Sequence, residues 1–108
     1  MTKIFAHRGA SAYAPENTME AFALAVKQEA DGIELDVQMT KDGQVVVIHD
    51  ETIDRVSDGK GAVRDCTLEE LRKFSFSNHM ENYKEAAIPT LKEVLEFLKP
   101  TNWNLILS

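Results

Sequence analysis

The sequence predicts an α/β fold built on parallel strands. Short apolar runs of strand length alternate with helical stripes that carry their own caps. Three of these runs carry or lead into titratable groups. Lys3-Ile4-Phe5-Ala6 leads into His7-Arg8, Gly32-Ile33-Glu34-Leu35-Asp36-Val37 holds two acids, and Val45-Val46-Val47-Ile48 leads into His49-Asp50. Parallel α/β proteins gather their sites at the C-terminal ends of strands. A long stretch of loop and helix separates the third run from the last one, as a parallel crossover requires.

Residues 3–7 form the first expected strand. A helix is expected over 17–29, with Asn17 as N-cap and Glu20 three residues on in a capping-box pattern. Met19, Phe22, Ala23 and Val26 recur at helical spacing and make its apolar face. Residues 32–38 form the second strand. Lys41-Asp42-Gly43 is a tight reversal. Residues 44–49 form the third strand, Val-rich enough to be buried on both faces. Residues 50–66 read as loop, most clearly at Ser57-Asp58-Gly59-Lys60-Gly61. Thr67-Leu68-Glu69-Glu70 opens a short helix running to about Phe74, and 75–89 is irregular. Thr90-Leu91-Lys92-Glu93 opens a third helix, with a Leu91, Val94, Leu95, Leu98 stripe stopped by Pro100. Trp103-Asn104-Leu105-Ile106-Leu107 is the fourth strand. The expected sheet is therefore four-stranded and parallel, with raw edges that favour pairing with a second copy of the chain.

Composition narrows the classes. The chain has 108 residues, 44% of them hydrophobic, which fits one soluble domain or less. Its net charge of −6 argues against nucleic-acid binding, which calls for a basic patch. The single cysteine, Cys66, can form neither an intrachain disulfide nor a thiolate metal site. Met1-Thr2-Lys3-Ile4 runs directly into a strand, without a signal-peptide pattern, and no apolar stretch has membrane-spanning length. A cytoplasmic location is the expectation.

Glu34 and Asp36 carry the clearest chemical signal. Residues two apart on a strand share a face, so Ile33, Leu35 and Val37 point one way and the two acids the other. For an isolated Glu-x-Asp pair, an ordinary solvated strand face suffices. Here the pair stands among two histidines and an arginine at strand ends. Adjacent negative charges repel, and a divalent cation with oxygen ligands is the natural compensation.

His7-Arg8-Gly9-Ala10, Pro15-Glu16-Asn17-Thr18, Glu34-Leu35-Asp36-Val37, Thr40-Lys41-Asp42-Gly43 and His49-Asp50, in this order and spacing, resemble the glycerophosphodiester phosphodiesterase family. Ile88-Pro89-Thr90-Leu91 is similar to a later segment of it. The resemblance runs from Ile4 to about Leu107. It implies a TIM-barrel enzyme that uses a divalent cation, Mg²⁺ or Ca²⁺. A full (β/α)8 barrel takes about 250 residues, so residues 1–108 would be a partial domain, about the first half of one. In the family two acids on the second strand and a further Glu on a later strand hold the metal. Glu34 and Asp36 match the first two. The further Glu is expected just beyond Leu105-Ile106-Leu107, where Ser108 closes the sequence.

Under that resemblance each residue acquires a chemical task. A cation at Glu34 and Asp36 would neutralise a phosphodiester and polarise a phosphoryl oxygen. Arg8 would offer a fork of donors to the phosphate. His7 and His49 are the acid–base pair, one taking a proton from the attacking hydroxyl and the other protonating the leaving alcohol; which does which stays open. Glu16, Asn17 and Asp50 are secondary. Capping accounts for Asn17, Asp42 is a turn residue, and His79 is exposed. The products would be an alcohol and glycerol 3-phosphate. Two alternatives stand beside this reading. One is a related phosphodiester cleaver, such as a phospholipase of similar barrel type. The other is a non-catalytic half-barrel that serves as an assembly module.

Overall fold

A computed structural model describes residues 5–9, 13–30, 32–99 and 104–107, with residues 5–7 and 104–107 described through their backbone alone. Strand β1 (Phe5–His7) leads through a turn into helix α1 (Met19–Lys27), which returns the chain to β2 (Gly32–Leu35). β1 and β2 pair in parallel, with His7 level with Glu34. The last strand, β5 (Asn104–Leu107), pairs in parallel on the other side of β2, with Ile106 level with Glu34. The sheet order is β1-β2-β5, as expected when helical crossovers join neighbouring parallel strands.

One face of this sheet is closed by helices. Ile33 and Leu35 of β2 are fully buried against Phe22 and Ala25 of α1 and against Val94 and Leu98 of helix α3 (Leu91–Leu98). Burying side chains of this size is worth about 1.5–3 kcal/mol each, so this seam anchors both helices to β2. Glu34, between the two apolar residues, is half-buried.

The expected second strand is broken. The chain leaves the parallel sheet after Leu35 and begins a second strand, β3 (Val37–Met39), in a different sheet, with Asp36 at the break. β3 pairs antiparallel with β4 (Val45–Val47) through a reversal in which Thr40 N–H donates to the Gln44 carbonyl and Gly43 sits at φ +80°. The Val-rich run is therefore the return arm of a hairpin. The parallel sheet has three described strands where four were expected. Val46 and Val47 are buried because α3 and residues 48–89 cover them from opposite sides. Burial on both faces, the property that suggested a parallel strand, arises here from two separate cores.

The cap of α1 also differs from expectation. Thr18 is the N-cap, its Oγ1 accepting from Ala21 N–H at 3.2 Å. Asn17 has φ +54°, whereas an N-cap residue is typically extended. The buried stripe is Ala21, Phe22 and Ala25, and Ala23 is exposed. The other two helix starts match expectation. Thr67 opens α2 (Leu68–Leu71), which stops at Leu71 rather than near Phe74, and Thr90 opens α3; each has a complete capping box. Pro100 and Trp103 lie outside the described residues. The stretch read as loop has a core of its own, in which Ile48, Ile53, Val56, Val63, Leu71, Phe76 and Ile88 are buried together.

Candidate functional site

The site begins where β1 ends. Arg8 N–H continues the β1–β2 ladder by donating to the Glu34 carbonyl at 2.6 Å. The chain then turns sharply, Arg8 at φ +55° and Gly9 at φ +79°. A Cβ on Gly9 would stand 2.8 Å from both the carbonyl carbon and the Cβ of Ala21, so this turn passes directly against α1. The turn lets the Arg8 side chain reach Asp36. Its Nε donates to Asp36 Oδ2 at 3.2 Å and its Nη1 to Glu16 Oε2 at 3.2 Å.

Glu16 and Asn17 are more central than the sequence suggested. Asn17 N–H donates to the Arg8 carbonyl at 2.9 Å, and its Nδ2 donates to Asp36 Oδ2 at 3.2 Å. Helix capping does not account for Asn17; its side chain braces Asp36. Its Oδ1 is buried and has no partner among the described residues. One segment, Pro15-Glu16-Asn17-Thr18, thus ties Arg8, supports Asp36 and caps α1.

His49 arrives by the hairpin. Val37 is level with Val47, and Ile48 N–H donates to the Asp36 carbonyl at 3.0 Å, so the return arm delivers His49 beside the strand break. His49 is exposed, and its Nδ1 lies 2.8 Å from Asp50 Oδ1. Asp50 also accepts from Arg55, at 2.9 Å from Nε and 3.1 Å from Nη2. The other edge of the same guanidinium grips Glu16, at 2.7 Å from Nη1 and 3.0 Å from Nη2. One network therefore runs from His49 through Asp50, Arg55, Glu16 and Arg8 to Asp36. Arg55 was invisible to sequence reasoning. It sits in a stretch without periodicity and finds its partner 39 positions away. The only signal was compositional: several acids around the motifs call for cations, and Arg can grip two carboxylates with separate donor edges where Lys offers a single ammonium.

The network fixes charge states. Hydrogen bonds from Arg55 and then from His49 hold the Asp50 carboxyl down at about 2. Burial pushes the Glu16 carboxyl up, but hydrogen bonds and charge from Arg55, with the charge of Arg8, outweigh it and leave it below the ordinary range. An ionised Asp50 can only accept, so the contact favours the His49 tautomer that carries its proton on Nδ1.

The donor set fits a hard cation in part. Glu34 is half-buried, Asp36 is buried, and the partnerless Asn17 oxygen belongs to the amide that braces Asp36. Carboxylate and amide oxygens are the ligands that Mg²⁺ and Ca²⁺ take. Among the described residues no three His, Cys, Asp or Glu side chains converge. Position 106, level with Glu34 on β5, holds isoleucine, which offers no ligand atom. Among the described residues the chain thus offers only some of the oxygen donors that such a cation would take. His7 is level with Glu34 on the opposite strand; its side chain lies outside the described residues. A groove of about 480 Å³ lies elsewhere, between the hairpin turn and α3, and none of the network residues lines it.

The chain matches the Glycerophosphoryl diester phosphodiesterase family over residues 7–107. It is 53% identical over 98 residues to a glycerophosphodiester phosphodiesterase of Caldanaerobacter subterraneus, covering 90% of this chain and 40% of that protein. The crystal structure of a glycerophosphodiester phosphodiesterase from Agrobacterium tumefaciens superimposes with a TM-score of 0.94 at 42% identity, over 99% of this chain and 46% of that one. An Oleispira antarctica phosphodiesterase solved with its product sn-glycerol-3-phosphate gives 0.93 at 35% identity, over 99% and 44%. The fold is thus of the TIM-barrel type, about the first half of a (β/α)8 barrel. The chain spans about 40% of the length of bacterial relatives that it matches and 28% of a mouse one. Among the described residues no helix is long and apolar enough to cross a membrane.

Proposed function

The chain belongs to the glycerophosphoryl diester phosphodiesterase family, and from that premise we propose that its strand-end cluster is the first half of a site that hydrolyses glycerophosphodiesters to an alcohol and glycerol 3-phosphate. The observation that supports this most directly is the Arg8–Asp36 contact. It sets a phosphate-binding type of side chain against one of the two acids suited to a cation.

The residues divide the work as follows. Glu34 and Asp36 would hold the cation, with Mg²⁺ and Ca²⁺ the ions suited to these oxygens, and water or substrate oxygens would supply the remaining ligands. When bound, the cation neutralises phosphate charge and polarises a phosphoryl oxygen. Arg8 keeps its Nε on Asp36 and one Nη on Glu16, and its other Nη is the donor edge for a phosphate oxygen. His49 presents Nε2 for proton transfer, since Asp50 occupies Nδ1. His7, level with Glu34, is its acid–base counterpart.

The test is release of glycerol 3-phosphate from glycerophosphocholine, with and without added Mg²⁺ or Ca²⁺, run beside His7→Ala and His49→Ala. Cation-dependent release that both variants lose is expected. A folded chain that releases nothing would favour the second reading, an assembly module. Position 106 without a ligand atom supports that reading, as do β1 and β5, each of which pairs on one side only among the described residues. Self-association to twice the 12.1 kDa chain mass would then be the expected solution state.

A further inference from the structure

We infer that Arg55 is a positioning residue for His49, a clamp that joins the two loops of the site and sets which ring nitrogen faces outward. The inference rests on the acid–base role proposed for His49. Its basis is geometric. One guanidinium makes four hydrogen bonds, of 2.7 to 3.1 Å, to two carboxylates on different loops. Glu16 belongs to the segment that precedes α1, and Asp50 to the segment that follows β4.

The two ends of the clamp differ in rigidity. Glu16 is well buried, its side chain 9% exposed, and is tied to Arg8 as well. Asp50 is more open at 26%, and His49 is more open still at 46%. Left alone, an exposed Asp–His pair of adjacent residues is weakly held, because both side chains have water as an alternative partner. Arg55 carries order outward from the buried end. It occupies both Asp50 oxygens, Nε on Oδ2 and Nη2 on Oδ1, and so fixes the carboxylate plane that accepts from His49 Nδ1. A bidentate fork does this where a single ammonium could not, because both edges of the guanidinium are in use.

The tautomer of His49 is a direct readout that needs no substrate. Imidazole ¹⁵N shifts, measured well above the ordinary histidine pKa, report the ratio of Nδ1–H to Nε2–H; histidine-to-glutamine changes at His7 and His79 isolate the signal. The native chain should show Nδ1–H in excess. Arg55→Ala should lower that ratio by roughly tenfold, the scale of one hydrogen bond to a charged group. Arg55→Lys should recover less than half of the loss while keeping the charge. If Arg55→Ala does not fold, Glu16→Gln, which loosens only the buried end, should still lower the ratio. A folded Arg55→Ala or Glu16→Gln chain with an unchanged ratio overturns the clamp. Failed hydrolysis with the native ratio intact overturns hydrolysis by residues 1–108 alone and leaves the clamp standing.

Discussion

Asp36 shows how much a single residue carries here. Its backbone passes from one sheet to another, and its carboxylate takes donors from Arg8 and Asn17 on one oxygen. The Arg8 and Asp36 side chains are 20% and 10% exposed. Removing one member of such a pair leaves the other poorly compensated, so Asp36→Ala should cost about 3 kcal/mol, the low end for a broken buried pair, read as a lower urea midpoint. The outer network makes a prediction about acid. Glu16 and Asp50 both sit below their ordinary carboxylate range in the folded chain. Their stabilising effect is therefore complete above an unfolded-state pKa of about 4, and is lost as pH falls through their lowered folded values, about 2 for Asp50. Urea midpoints should fall over that window, and Arg55→Ala should flatten the fall; an equally steep fall in the variant would place the acid sensitivity elsewhere. At this scale legibility followed residue type. Arg8, Glu34 and Asp36 were readable because their chemistry stands out at strand ends. Glu16 was readable only as a secondary site residue and Arg55 not at all, because a pair separated by 39 positions leaves no local pattern.

Between elements, the structure departs from the sequence pattern where residues satisfy two patterns at once. Gly32 to Val37 alternates as one strand would, yet the backbone breaks at Asp36 because Val37 pairs with Val47 in a hairpin while Leu35 pairs with Leu107 in the parallel sheet. Period 2 reports which way side chains face and is silent about which strand they pair with. Asn17 and Thr18 are both good capping types, and the left-handed backbone at Asn17 decided for Thr18. The Thr67 and Thr90 boxes were legible because the acid three residues on closes each cap locally. The joint between β1 and α1 is the least forgiving. Gly9 combines φ +79° with a close approach to Ala21, so a side chain there meets backbone strain and a clash together. Gly9→Ala should destabilise the chain by about 2–4 kcal/mol, and thermal melting would show it. A variant within a few tenths of a kcal/mol of the native chain would mean that this turn relaxes, and that it does not set the reach of Arg8.

For the molecule as a whole, the sheet register turns a half-barrel into a statement about metal binding. Parallel pairing brings strands from opposite ends of the sequence to either side of β2, which sets His7, Glu34 and Ile106 level across three strands. The family resemblance places a third carboxylate beyond Leu107. Register could not be seen from that vantage, because it depends on how two strands far apart in the chain align. Pairing makes position 106 the one level with Glu34, and its residue cannot coordinate. If Glu34 and Asp36 are the two resident ligands, Ile106→Glu should supply a third. Without a cation it adds a like charge near two others, so the variant should melt below the native chain. With Mg²⁺ or Ca²⁺ that repulsion becomes coordination, so the variant should bind the ion about tenfold or more tightly than the native chain. Binding linked to the folded state should then raise its melting temperature with cation concentration. Titration calorimetry with the metal salt alone gives the affinity without reference to catalysis. A variant that melts lower and gains nothing from either cation would show that Glu34 and position 106 do not share a site, and would remove the cation from the proposed chemistry of this half of the barrel.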